Sequence, residues 1–206
     1  MGKTGLRKKY NLVLSRETNL ARLVALQAIK PKPLTVWEVL IPILFIFGYM
    51  KSKEQREIFA QNLLFTKKLA LDAAFSMIKN DQSRQSAESQ IKKKTSDLLA
   101  TLPHNVYSEA IRQEQLKEMN LLIDHYCKLM QVEGIDYDAL VSNAYCSRRE
   151  YNLFLERLSD AEKKVAWAAR RTLGPNTDTA MADRIENATN RARRAEIDKI
   201  FDTAGQ

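Results

Sequence analysis

The sequence predicts an all-α fold: a helical bundle with an N-terminal basic arm and a short apolar helix that either inserts in a membrane or forms core. Three observations carry this. Ala, Leu, Lys, Glu, Gln and Arg, all good helix formers, fill the long segments of the 206-residue chain. Only 6 Gly and 5 Pro occur, too few for collagen, Gly-rich repeats or a turn-dense β-sandwich. Apolar residues recur at three- and four-residue spacing between explicit cap signals. With 45% hydrophobic and 28% charged residues the composition is globular, which excludes disorder along the whole chain.

Charge divides the chain. Residues 1–33 carry eight basic side chains against the single acid Glu17, whereas the other 173 carry 25 basic and 24 acidic. Nearly all of the net charge of +8 is therefore an N-terminal feature. Three segments follow from this: 1–33, a basic arm with an amphipathic helix; 34–79, an apolar wedge and the helix after it; and 80–206, a soluble helical bundle.

Within the first segment, Leu20, Leu23, Val24 and Leu26 make residues 12–29 an amphipathic helix that Pro31 and Pro33 stop. Next comes the most apolar stretch in the chain. From Leu34 to Met50 it has 17 residues, about 25 Å as a helix against a hydrocarbon core of about 30 Å. Thr35 and Glu38 form a capping box, and Pro42 kinks what remains. Lys and Arg flank it on both sides, so both ends favour the same side of a membrane. The expectation is a re-entrant or interfacial hairpin over residues 34–78, with Trp37, Leu40, Ile41, Ile43, Leu44, Phe45, Phe47 and Tyr49 contacting the membrane. Arg7, Lys8, Lys9, Lys30, Lys32, Lys51 and Lys53 are expected to meet anionic lipid. A cleaved signal peptide and N-myristoylation are not expected, since a long basic region precedes the apolar part and Leu6 stands where the acyl signal needs Ser or Thr. The alternative places residues 39–50 in the core of a soluble bundle.

The remaining elements are read in order. Ser52-x-x-Gln55 opens a helix to about Lys79, interrupted in its middle by Lys67 and Lys68. Residues 79–90 read as a polar linker, followed by a helix to about Ala100. Residues 106–130 hold the clearest stripe, through Ile111, Leu116, Met119, Leu122, Ile123, Tyr126 and Leu129, and Gly134 ends it. Asp136 caps a short helix. Ser147-x-x-Glu150 and Ser159-x-x-Glu162 open two more, the second closed by Gly174 and Pro175. A last helix runs from about Asp178 to Phe201. Its Arg184, Arg191, Arg193 and Arg194 interleave with Asp183, Glu186, Glu196 and Asp198, a pattern of solvent-facing ion pairs.

No catalytic residue, cofactor site or metal site is predicted. The glycines are too dispersed to cradle phosphate. His104 and His125 both lack the Glu three positions earlier that a di-metal carboxylate bundle needs. His125, Cys127 and Cys146 offer zinc-type atoms without paired-cysteine spacing, so the cysteines read as reduced, buried apolar residues. The expected function is a non-enzymatic, membrane-associated helical adaptor or complex subunit. It docks monotopically on the cytoplasmic face and binds a protein partner, or a second copy, through its C-terminal helices. Nucleic acid is not an expected partner, although a soluble scaffold or nucleic-acid-associated bundle is the alternative.

Overall fold

A computed structural model describes residues 3–29, 52–101, 107–174 and 179–202, and among these every regular element is an α-helix. The helices are α1 (Lys3–Ala28), α2 (Ser52–Asn80), α3 (Arg84–Thr101), α4 (Glu109–Gln131), α5 (Tyr137–Ala144), α6 (Arg148–Leu173) and α7 (Thr179–Asp202). Local chemistry fixes most of their ends. The Asp136 carboxylate accepts from Ala139 N at 2.8 Å and the Ser147 hydroxyl from Glu150 N at 3.2 Å, which satisfies donors that no helical carbonyl reaches. Glu150 completes the second cap by accepting from Cys146 N at 3.2 Å. Gly174 ends α6 with φ of 84°, a conformation that favours residues without Cβ. At the end of α2, Asp81 takes φ of 51° and Gln82 N donates to Met77 O at 3.1 Å, a six-to-one closure that turns the chain into α3.

Helix α1 starts well before the stripe expected over residues 12–29. Leu6, Tyr10 and Val13 extend that stripe toward the N-terminus at spacings of four and three, and all three are buried. The segment read as an arm is thus a packed helix rather than a tether over residues 3–28. It runs antiparallel to α2, with Arg22 beside Glu57, Glu17 beside Lys67 and Tyr10 beside Asp72. Helix α2 likewise belongs to the bundle and is not the second limb of a leaflet hairpin: its Phe59, Leu64, Leu71 and Ala74 are buried among the other helices. Helix α4 packs against α2 and α6, and α7 lies along α1. One apolar core joins all seven helices, from Leu6 through Leu71, Ile91, Leu122, Leu140 and Leu158 to Ile200, and so crosses the position-79 boundary without a break.

Two other sequence expectations are revised. Residues 79–90 are mostly helical, because Arg84 already begins α3 after a short turn capped by Ser83, whose hydroxyl accepts from Ser86 N at 3.2 Å. Ser159 caps nothing. It lies in the middle of α6, which stays continuous because Leu158, Ala161, Val165 and Ala168 carry one buried stripe past it. No described helix is long and apolar enough to cross a membrane.

Gly134 joins α4 to α5 under close constraint. A Cβ there would stand 2.9 Å from both Leu140 Cδ2 and the Leu140 backbone nitrogen, and backbone cannot swing aside. Gly134→Ala is expected to lower stability by about 1–3 kcal/mol in urea unfolding.

Candidate functional site

The residues expected at a membrane divide into three groups. Trp37, Leu40, Ile41, Ile43, Leu44, Phe45, Phe47 and Tyr49, with Lys30, Lys32 and Lys51, lie outside the described residues, and of Lys53 only the helical backbone is described. Arg7 and Lys8 are exposed near the start of α1, the Arg7 guanidinium 4.9 Å from the Tyr10 ring centre and 5.6 Å from that of Phe75. Lys9 leaves the exposed basic set: it is buried, and its Nζ reaches Glu133 at 3.1 Å.

Ile29 and Ser52, the described residues on either side of 30–51, lie at one end of the α1–α2 pair. The last carbonyls of α1 are taken by arginines from two other helices. Arg56 Nη2 donates to Ile29 O at 3.2 Å, and Arg184 Nε donates to Ala28 O at 3.2 Å. Cations suit this position because a helix C-terminus carries partial negative charge. Leu23 and Leu26, in the last two turns of α1, are exposed.

The bundle interior holds something the sequence reading missed, a network of buried charge. Glu17, the lone acid of the first segment, accepts from Lys67 Nζ at 2.6 Å and from the Tyr126 hydroxyl at 2.9 Å, joining α1, α2 and α4. Burial raises its proton affinity, but the Lys67 ammonium outweighs this and holds the carboxyl below its usual range. Arg193 grips Glu162 through two hydrogen bonds of 2.8 and 2.7 Å, joining α7 to α6. Arg16 pairs with Glu196, joining α1 to α7. Arg193 and Glu196, expected in solvent, are buried. They sit on the face of α7 that Ala188 and Ala192 turn inward, so their partners come from neighbouring helices rather than from α7 itself.

Glu118 stands apart. It is buried on the apolar stripe of α4 and, among the described residues, makes no ion pair or hydrogen bond. Burial, then repulsion from Glu162, pushes its carboxyl up to about 8, against the pull of Lys67 and Arg193, so it is protonated at neutral pH. It lines a cavity of about 150 Å³ between α2, α4, α6 and α7, together with Asn62, Lys67 and Glu162 and an apolar wall that includes Phe59, Leu63, Val165 and Ile185. Asn62 Nδ2 is buried there without a hydrogen-bond partner among the described residues.

His125 packs in the core. Its ring stacks on Phe154 with centres 4.2 Å apart, and Nδ1 shares a 2.7 Å hydrogen bond with the Tyr145 hydroxyl. Burial drives its pKa down to about 3, so it is neutral. Cys127 is half-buried, while Cys146 is exposed in the turn before α6 rather than buried as expected. No cluster of three metal-ligating side chains occurs among the described residues.

A sequence signal for the network existed. Glu17, Lys67, Glu118 and Arg193 each occupy a position that continues a buried stripe, where a charge needs a partner from elsewhere in the fold. Compared with known protein families, curated proteins and solved structures, the chain matches none.

The titrating groups set the pH profile of stability. His125 takes up its proton only below about 3 when folded, against 6.5 in its ordinary state, so stability falls as pH drops below 6.5. Glu118 keeps its proton up to about 8, against 4.5, so stability falls as pH rises from 4.5 to about 8. Thermal unfolding across pH should show greatest stability between 4.5 and 6.5, where the two effects offset. Glu118→Gln should flatten the alkaline side and raise the melting temperature at pH 9 by about 3–6 °C. Lys67→Met strands Glu17 without its cation and is expected to cost about 3–5 kcal/mol in urea unfolding at pH 7. Adding Glu17→Gln should recover at least half of that loss, as a double-mutant cycle measures it.

Proposed function

We propose that the protein is a non-enzymatic, membrane-associated helical adaptor, held on one face of a membrane by residues 34–50 and presenting its bundle to a protein partner. The observation that carries this reading is the pairing of the two stems. Ile29 and Ser52, which bracket residues 30–51, lie at the same end of the α1–α2 pair, with Arg56 of the second stem bonded to the Ile29 carbonyl of the first. An apolar segment whose ends share one end of a bundle suits insertion from one side, because a spanning segment delivers its flanks to opposite sides.

Three further features support the same end as the docking face. Exposed Leu23 and Leu26 adjoin Ile29. Trp167, also exposed, lies in the last third of α6 with the Arg171 guanidinium 5.5 Å from its ring centre, and aromatic rings beside cations favour headgroup depth. Lys30, Lys32, Lys51 and Lys53 flank the apolar segment in sequence. Arg7 and Lys8 contribute less under this arrangement. They precede Ile29 by more than 20 residues of helix, about 30 Å, against a screening length of about 8 Å. The electrostatic tether is thus assigned to the lysines at the stems.

The test is flotation of the purified full chain with vesicles containing phosphatidylserine. The wild type should float and remain bound in high salt, and Phe45→Asp should abolish flotation while leaving the melting temperature of the bundle within about 1 °C. Unfolding by Phe45→Asp would favour the alternative, in which residues 39–50 form core. Complete release by salt alone would refute insertion.

A further inference from the structure

We propose that the cavity between α2, α4, α6 and α7 is a binding site for a small organic amine that carries an oxygen acceptor beside its ammonium group, an amino alcohol or amino amide on an apolar body. Apart from Glu118, each charged group on the cavity lining has a partner: Lys67 with Glu17 at 2.6 Å, Glu162 with Arg193 at 2.7 Å and Lys163 with Glu186 at 3.0 Å. Glu118 has none among the described residues, so its ionised form would lack a cation. Asn62 Nδ2, nine-tenths buried, offers a hydrogen bond that no acceptor among the described residues takes up. Folded proteins rarely leave such a buried donor unmet.

The two unmet groups ask for complementary atoms. A carboxylate without a cation asks for an ammonium ion, and an amide N–H asks for an oxygen lone pair. A divalent metal is a poor match, since hard cations take six or more oxygen ligands and Glu118 supplies a single carboxylate. The wall of Phe59, Leu63, Val165 and Ile185 asks instead for a carbon skeleton. A volume of about 150 Å³ is of the size that accepts benzene in an engineered apolar cavity. The ammonium then replaces the proton that Glu118 holds in the empty site: the carboxylic acid ionises, the ion pair forms, and one proton leaves to solvent. Glu118 faces Glu162 on α6, Lys67 on α2, Arg193 on α7 and Glu17 on α1, and only Glu162 and Glu17 oppose its ionisation electrostatically.

Isothermal titration of the full chain at pH 7 with 2-amino-1-phenylethanol provides the test. We expect saturable binding, release of close to one proton per ligand when buffers of different ionisation heat are compared, and affinity that rises up to about tenfold per pH unit from pH 6 to about 8. The diol in which a hydroxyl replaces the ammonium should bind at least about tenfold more weakly, and 2-phenylethylamine, which lacks the acceptor, severalfold more weakly. Glu118→Gln, which keeps the shape of the side chain, should erase the preference for amine over diol. Ala182→Leu, which fills the cavity from α7, should remove binding of all three. Equal affinity for diol and amine, an unchanged amine affinity in Glu118→Gln, or no binding heat at millimolar ligand would each overturn the assignment.

Discussion

The ion pair between Glu17 and Lys67, with the Tyr126 hydroxyl on the second carboxylate oxygen, sets the arrangement from which the rest of the bundle follows. Taking two charges out of water is expensive, and their attraction repays it only when the geometry is close and the remaining oxygen is satisfied. Both conditions hold here. The consequence is less a gain in stability than a choice of register. Sliding α1 by one residue along α2 would carry Glu17 away from Lys67 and strand two buried charges at once. The flanking pairs, Arg22 with Glu57 and Tyr10 with Asp72, keep the same antiparallel alignment, but they are partly exposed and weaker. Alanines at 21, 25, 60, 70 and 74 permit close approach of the helices, and the charge pair decides which alanines meet.

The same economy explains why α6 and α7 fit around a gap. They are linked by Arg193 to Glu162 and Lys163 to Glu186, while Arg148 at the start of α6 reaches both Asp198 and Asp202. Ion pairs between long side chains hold helices at arm's length, whereas interlocked Leu and Ile would draw them together. Space therefore remains between α2, α6 and α7, and its polar floor is the underside of the buried network. Glu118 is the point at which that network fails to close, and its proton is the remedy that the chain itself supplies.

What was legible in the sequence was the chemistry that acts over a few residues. Asp136 and Ser147 cap the helices they were expected to cap, Gly174 ends the single helix that Ser147 opens, and the Ile111 to Leu129 stripe is buried except at Leu116, which is partly buried beside buried Gln115. Ser159 shows where local reasoning stops. Its capping-box spacing is genuine, but Leu158 to Ala168 continue a buried face, and packing outweighs a cap worth about 1 kcal/mol. The charge network was illegible for a different reason. Glu17 meets Tyr126 across 109 positions and Arg16 meets Glu196 across 180, so no window of sequence contains both members. Lys67 shows in the sequence only as an interruption of an apolar stripe, and Arg193 and Glu196 only as members of a surface pattern.

The two ends of the bundle are chemically unlike, and the difference follows from the connections. At one end lie the last turn of α1 and the first turns of α2 and α7, joined where Arg56 and Arg184 cap α1. The start of α4 and the end of α6 meet nearby through Ser108 and Thr172 at 2.6 Å, and Phe65 of α2 packs on the same cluster. At the other end, Lys9 with Glu133, Lys199 with Asp138 and Arg148 with its two aspartates tie helix starts to helix ends. That end is stitched by ion pairs that water tolerates. That end also exposes Ile135, between α4 and α5, and Leu153 near the start of α6, whereas the first end exposes Leu23, Leu26 and Trp167 and borders the most apolar stretch of the sequence. An apolar insert of this kind interferes least with folding where its stems are already fixed by other contacts. The arginine caps on α1 supply that fixation from α2 and α7, so the two stems are held by contacts among the described residues.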